Sequence, residues 1–433
     1  MADQVNDPVQ APSDDQFENT QPKDIADHYS RLLIGRESNA ATVESTPQAS
    51  EFDGLETVPT VSALDLSRPA IDDRLDETRE ALHRIVEEYL QGDPELYKVT
   101  DEIVDRGGDA LDFLRSGNDE QLRQRKVQND LEGIVRTDGS RPSFMIRNDE
   151  VDLASSPVGG WNDIIAGSID KLRDFARCVG RIDVPGAPQG FTGTGFLVHE
   201  NLIITNRHVL QASADPIDNN EWEFKQGAVI DFGHEFRGRE TLNRRALKNV
   251  VFCAPDAILD NLPIDHNKLD LALIELEPTD DALLPSKLFS LDIATDWANS
   301  DLDVYIVGYP GQPKLGGVNQ PTLLELLFQS TYGYKRLAPG KIMTSTQMVT
   351  DWTATHDATT LGGNSGSVVL VVGREYAAAA LHYGGRNAAP LENWGHVIGK
   401  TLDKQDAKGI PLRQYLTDLK VTFANRTVGG VQV

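Results

Sequence analysis

Hydrophobic positions change their spacing near residue 140. Before it, Ile71, Leu75, Leu82, Ile85, Val86 and Tyr89 recur at helical intervals. Gly92-Asp-Pro94 ends that helix and opens another, carrying Leu96, Val99, Ile103 and Val104 on one face. Gly107-Gly108 is expected to break the second helix. Leu111 and Leu114 then form a short third element, and 122–135 a fourth. After residue 140, short β-branched runs alternate with Gly, Pro, Asn and Asp turns. The expected strands are Thr194–Val198, Leu202–Thr205, Val229–Phe232, Asn249–Cys253, Leu271–Leu276, Val304–Val307, Ser367–Val372 and Ala377–Tyr383. So many short strands argue for a mainly β sandwich or barrel. Ile410, Leu412, Leu416 and Leu419 predict a C-terminal helix.

Residues 1–70 fit neither texture. They hold 13 acidic residues against 4 basic ones and bury too little to offset their ordering entropy. They read as an acidic, disordered tail with one apolar patch, Tyr29-Ser-Arg-Leu-Leu-Ile34, able to dock on the body or on a partner. The expected division is tail 1–70, helical regulatory or adaptor module 71–139 and main domain 140–433.

Charge and cysteine content narrow the class. The formal net charge of -26 opposes binding to nucleic acid or anionic membranes. The two cysteines, Cys178 and Cys253, are too few for a disulfide framework and read as free thiols. The first residues lack the basic and apolar regions of a signal peptide, and no apolar run reaches membrane-span length. The expectation is a cytoplasmic protein.

Three motifs carry candidate chemistry. Ser365 lies in Leu361-Gly-Gly-Asn-Ser-Gly-Ser367, where flanking glycines leave the hydroxyl reachable and permit unusual backbone angles. The amides of Gly363 and Ser365 are then candidates to bind one oxyanion. Alone, Gly-Asn-Ser-Gly is also ordinary turn chemistry. His208 follows the Gly193-Thr-Gly195 and Leu202–Thr205 strands, at the end of a hairpin, and is the candidate base. Asp270 opens the apolar run Leu271–Leu276, where a carboxylate at the edge of a core needs a partner such as a His N–H. The chain order His208, Asp270, Ser365 is that of double β-barrel peptidases.

With these residues the sequence resembles the trypsin-like serine peptidases, and among them the bacterial glutamyl endopeptidase (V8-like) branch. The resemblance rests on Thr205-Asn-Arg-His-Val209, Asp270-Leu-Ala-Leu273, Gly308-Tyr-Pro-Gly311, Gly363-Asn-Ser-Gly-Ser367 and Leu381-His-Tyr-Gly-Gly385, and spans about 175–420. It implies two six-stranded antiparallel barrels with the site between them. Tryptic members carry Asp six residues before the serine; Thr359 stands there, so basic P1 side chains would find no counter-charge. Thr360 and His382 match the places that contact an acidic P1 side chain in the glutamyl branch. A small or apolar P1 remains the alternative.

The chain departs from secreted members in its N-terminal region and in long insertions at about 211–248 and 312–340. The segment Arg136–Arg147 reads either as a processing loop or as an early strand, which leaves a zymogen open. The expected function is an intracellular serine endopeptidase acting on protein or peptide substrates, with no cofactor or metal. An activating protein partner is expected through residues 1–139. The competing reading is an inactive barrel scaffold used only for binding.

Overall fold

The computed structural model describes residues 22–34 and 64–433, apart from 218–220, 239–242, 260–263, 300, 314–320, 375, 387–390, 425, 426, 429, 430 and 433. Most of the expected tail therefore lies outside the described residues, as do 218–220 and 239–242 of the first insertion and 314–320 of the second. The apolar patch docks on the body, one of the two readings that the sequence left open. It is the end of helix α1 (Pro22–Ile34), whose Ile25, Tyr29 and Leu33 are buried among the other helices.

Helices α2 (Arg68–Tyr89), α3 (Pro94–Ser116), α4 (Asp119–Leu122) and α5 (Arg125–Thr137) complete this region. The Asp93 carboxylate caps α3 through the Glu95 amide at 2.9 Å, and Gly117 ends it in the left-handed conformation. Gly107-Gly108 does not break α3, contrary to the reading of the sequence. A Cβ at Gly107 would lie 2.0 Å from Ile134, and one at Gly108 2.8 Å from Leu75. The two glycines instead let α5 and α2 approach closely, which outweighs their poor helix propensity.

The segment after α5 is strand, not an exposed loop. β1 (Phe144–Arg147) pairs with β2 (Glu150–Asp152), and Arg141 just before it is buried. Helix α6 (Trp161–Ala176) leads to the first barrel.

That barrel contains β3 (Val179–Asp183), β4 (Phe191–His199), β5 (Leu202–Thr205), β8 (Val229–Asp231), β9 (Arg244–Cys253) and β10 (Ala272–Leu276). It closes in the order β10-β5-β4-β3-β8-β9. Helix α7 (Arg207–Ser213) and the hairpin β6 (Ala214–Pro216) and β7 (Trp222–Phe224) fill the connection after β5. Short strand β11 (Ser290–Asp292) crosses to the second barrel.

The second barrel contains β12 (Asp303–Gly308), β13 (Arg336–Met343), β14 (Thr353–His356), β15 (Val368–Val371), β16 (Ala377–Gly385) and β17 (Asn393–Val397). Pairing of β12 with β13 closes it, and β1 adds to β13 from outside. The architecture is thus two closed, six-stranded antiparallel barrels preceded by helices. All eight strands expected from the sequence exist. The second insertion supplies helix α8 (Pro321–Leu327), and α9 (Ile398–Thr401) and α10 (Leu412–Asp418) follow the barrels.

Candidate active site

The short α7 starts directly after β5, so its first turn projects from the end of the first barrel. His208 sits there. Its Nδ1 meets Asp270 Oδ2 at 2.5 Å, and its backbone N–H donates to Asp270 Oδ1 at 2.9 Å. The carboxylate thus holds both the ring and the backbone of one residue. Asn206 Nδ2 donates to the Asp270 carbonyl at 2.8 Å. Burial opposes ionisation of Asp270, yet His208 and these hydrogen bonds hold its carboxyl below the usual range. Nδ1 is engaged by the carboxylate, and the His208 side chain is 22% exposed.

The second barrel braces the backbone of Asp270. The Asp270 amide donates to His396 Nε2 at 2.9 Å, which fixes the neutral His396 as its Nδ1–H tautomer. The Tyr383 ring stacks on His396 at 4.1 Å. Burial pushes His396 down to about 4.

Ser365 lies on the turn between β14 and β15, and that turn is clamped from three sides. Its carbonyl accepts the Thr194 amide at 2.8 Å, and the Gly366 amide donates to the His382 carbonyl at 2.9 Å. The Gly362 carbonyl accepts the Gly311 amide at 2.6 Å, and the Asn364 carbonyl accepts the Ser367 amide at 2.8 Å. Across a trans peptide, N–H and C=O point in opposite directions. The pinned carbonyls therefore turn the Gly363 and Ser365 amides the other way, and among the described residues neither donates to a protein acceptor.

This geometry needs its glycines. Gly363 (φ 94°) and Gly366 (φ 88°) are left-handed, and a Cβ at Gly366 would lie 1.9 Å from the Thr194 carbonyl. Gly308 is needed too, since a Cβ there would lie 1.8 Å from Ser367 Oγ. His382 links the two halves of the site. Its backbone frames the Ser365 turn, and burial, with smaller contributions from His356 and His208, pushes its imidazole well below the ordinary value.

The three expected pocket residues are buried around β17. Thr360 Oγ1 donates to Asn393 Oδ1 at 2.5 Å, and His382 pairs across β16 and β17 with Gly395. Asn393 Nδ2 donates to the Ala358 carbonyl at 2.8 Å, so its oxygen is left facing Thr360. His382 Nδ1 faces His356 Nε2 at 3.3 Å. Thr359 turns away from the other two and donates to the Arg141 carbonyl at 2.6 Å. Asn206, His356, Asn393 and His396 escaped the sequence reading. Asn206 stands beside His208 and could have been found there; the other three carry no local signal.

No metal-binding group of His, Cys, Asp or Glu occurs among the described residues. Cys178 and Cys253 are buried free thiols. No helix among the described residues is long and apolar enough to cross a membrane.

Residues 193–374 match the family model of the trypsin-like peptidase domain. The matched stretch contains His208, Asp270 and Ser365. Over 280 residues the chain is 28% identical to a "Probable serine protease" of Lysobacter enzymogenes, covering 59% of this chain and 69% of that protein. Among solved structures it is similar to HL collagenase, at 11% identity and a TM-score of 0.39, over 57% of this chain and 95% of that one. It is also similar to the protease Anisep of Arthrobacter nicotinovorans, at 12% identity and a TM-score of 0.37, over 56% and 95%. The sequence match and the two closed barrels together support a chymotrypsin-fold serine peptidase.

Proposed function

We propose that the protein is a serine endopeptidase working through Ser365, His208 and Asp270. The observation that carries this reading is the pinned Ser365 turn, with the amides of Gly363 and Ser365 left without acceptors among the described residues, together with a His208 ring held at Nδ1 by a buried carboxylate. In the proposed reaction Ser365 Oγ attacks the peptide carbonyl while His208 Nε2 takes its proton. Asp270 stabilises the imidazolium, and the two amides receive the oxyanion. His208 then protonates the departing amine, leaving an acyl-enzyme that water hydrolyses by the same steps. A fluorophosphonate probe should label Ser365, and Ser365→Ala and His208→Ala should each abolish peptide cleavage. Undiminished cleavage by Ser365→Ala sinks the reading, and a parent protein that takes no label and cleaves nothing favours a binding scaffold.

The glutamyl-type pocket is the finer part of the proposal. With His382 Nδ1 accepting from His356 Nε2–H, its own Nε2–H would be the donor left for an acidic P1 carboxylate. One observation favours a small or apolar P1 instead. The Thr360 proton is already given to Asn393, and His382 is held neutral, so the pocket offers one neutral donor and no positive charge. A peptide library varied at P1 separates the two. We also read residues 1–139 as the point where a protein partner acts; cleavage at full speed by the purified chain alone would remove the need for one.

A further inference from the structure

We propose that the helical region is a working part of the specificity pocket, with Arg141 and Glu132 as positioning residues that hold its walls. This rests on the serine-peptidase reading and deepens it. Three separate contacts converge on the segments 357–361 and 391–393, which carry Thr359, Thr360 and Asn393.

The first is Arg141. Its guanidinium grips Asp357 with two bonds, Nε to Oδ1 at 2.6 Å and Nη2 to Oδ2 at 2.7 Å, and both side chains are buried. Its Nη1 donates to the Leu32 carbonyl at the end of α1, at 3.4 Å. Its own carbonyl takes the Thr359 hydroxyl. One residue thus ties α1 to two positions of the wall. A planar, bidentate fork fixes orientation as well as distance, which a lysine would not do.

The second is Glu132 of α5. Its Oε1 accepts the Leu391 amide at 3.1 Å and the Tyr29 hydroxyl of α1 at 3.3 Å. Two residues on, Asn393 receives the Thr360 hydroxyl. The third contact is apolar: Val86 of α2 and Ile103 of α3 pack in one cluster with Leu323, Leu327 and Leu361.

These contacts reach the walls and leave the reacting turn alone. Ser365 is part-exposed and Gly362 exposed, and among the described residues no helix of this region hydrogen-bonds to 362–367. A plug would show the reverse, with Ser365 covered. The helices therefore support substrate recognition, and loosening them weakens the enzyme rather than freeing it.

The test uses the full chain. Glu132→Ala and Arg141→Lys are assayed on peptides differing only at P1, with kcat and KM separated, alongside the rate at which methanesulfonyl fluoride, which has no P1 side chain, modifies Ser365. The expected result is at least a tenfold loss in kcat/KM for the preferred peptide and a flattened P1 profile. Sulfonylation should stay within about threefold of the parent. Should Arg141→Lys fail to fold, Glu132→Ala and the isosteric Glu132→Gln decide. A P1 profile and kcat/KM within twofold of the parent overturn the proposal. So does a loss shared equally by sulfonylation, which would assign the defect to the triad. A parent protein that is neither modified at Ser365 nor cleaves peptides overturns the peptidase reading itself.

Discussion

The two barrels hold their functional residues in different ways. The first delivers His208 and Asp270 from its own strands: β5 runs into α7, and β10 pairs with β5 through Ala272 and Thr205. The second contributes the proposed pocket, whose residues are tied to groups outside that barrel. Asp357 is paired with a residue 216 positions away, and the Leu391 amide with one 259 positions away. The proposed base is oriented by a pairing 62 positions long inside one barrel, backed by one from His396 of the second. A pocket that must choose among side chains is held by distant ones, which gives the helices a route to selectivity without touching the nucleophile.

The largest expected effect lies in the first barrel. Asp270→Asn keeps the shape of the site but removes the acceptor that fixes the His208 tautomer, so kcat should fall by about 10⁴-fold with little change in KM. Steady-state kinetics on one peptide checks this. A fall of less than tenfold would mean that His208 does not depend on Asp270, and the contrast between the barrels would lose its first half.

The second barrel should fail differently. Arg141→Met leaves Asp357 buried without its partner, with only the Lys341 amide at 2.7 Å still donating to it. Breaking a buried pair from one side typically costs about 3–5 kcal/mol. Denaturant midpoints should show this loss, and Arg141→Met with Asp357→Leu should recover much of it, because both charges then leave the core. If the single and double variants are equally unstable, the pair is not what holds the wall.

The same contrast explains what the sequence made legible. His208, Asp270 and Ser365 sit at the ends of apolar strands or in a glycine turn, so local pattern exposes them. The eight expected strands are the ones with β-branched runs. Four barrel strands, β3, β13, β14 and β17, were missed: β13 contains Pro339 and Gly340, and β17 is Asn-Trp-Gly-His-Val. Gly107-Gly108 misled because a glycine pair that breaks a helix reads the same as one that admits a neighbour. Arg141 was unreadable as a buried residue, since an arginine before a proline looks exposed until Asp357 is brought beside it. Thr359 was assigned to the pocket by position alone, and its hydroxyl is committed to the Arg141 carbonyl.

Acid should act on the second barrel through its buried histidines. Burial pushes His356 down to about 3 and His396 to about 4, against about 6.5 in the unfolded chain. Between those values the unfolded chain binds protons that the folded one refuses, so stability is fully present above pH 6.5 and is lost as the pH falls towards 4. For His396 the difference is worth about 3 kcal/mol. Thermal melts between pH 7 and 4.5 should show the decline, and His356→Gln should make it shallower. A melting temperature independent of pH in this range would show that the imidazoles are not kept neutral by the fold.

The smallest effect is also the finest test of how the pocket is held. Thr359 gives its hydroxyl to Arg141, across the boundary to the helical region, whereas Thr360 gives its hydroxyl to Asn393 within the second barrel. Valine at either position removes one hydrogen bond, worth about 1 kcal/mol, and nearly preserves volume. If the helices shape the pocket, Thr359→Val should shift the P1 profile in the same direction as Thr360→Val, although its hydroxyl faces away from the substrate. Each kcat/KM should change by about fivefold, mainly through KM. A Thr359→Val protein that loses stability but keeps the parent P1 profile would confine the helices to a structural role and leave Thr360 and His382 as the pocket's selective groups.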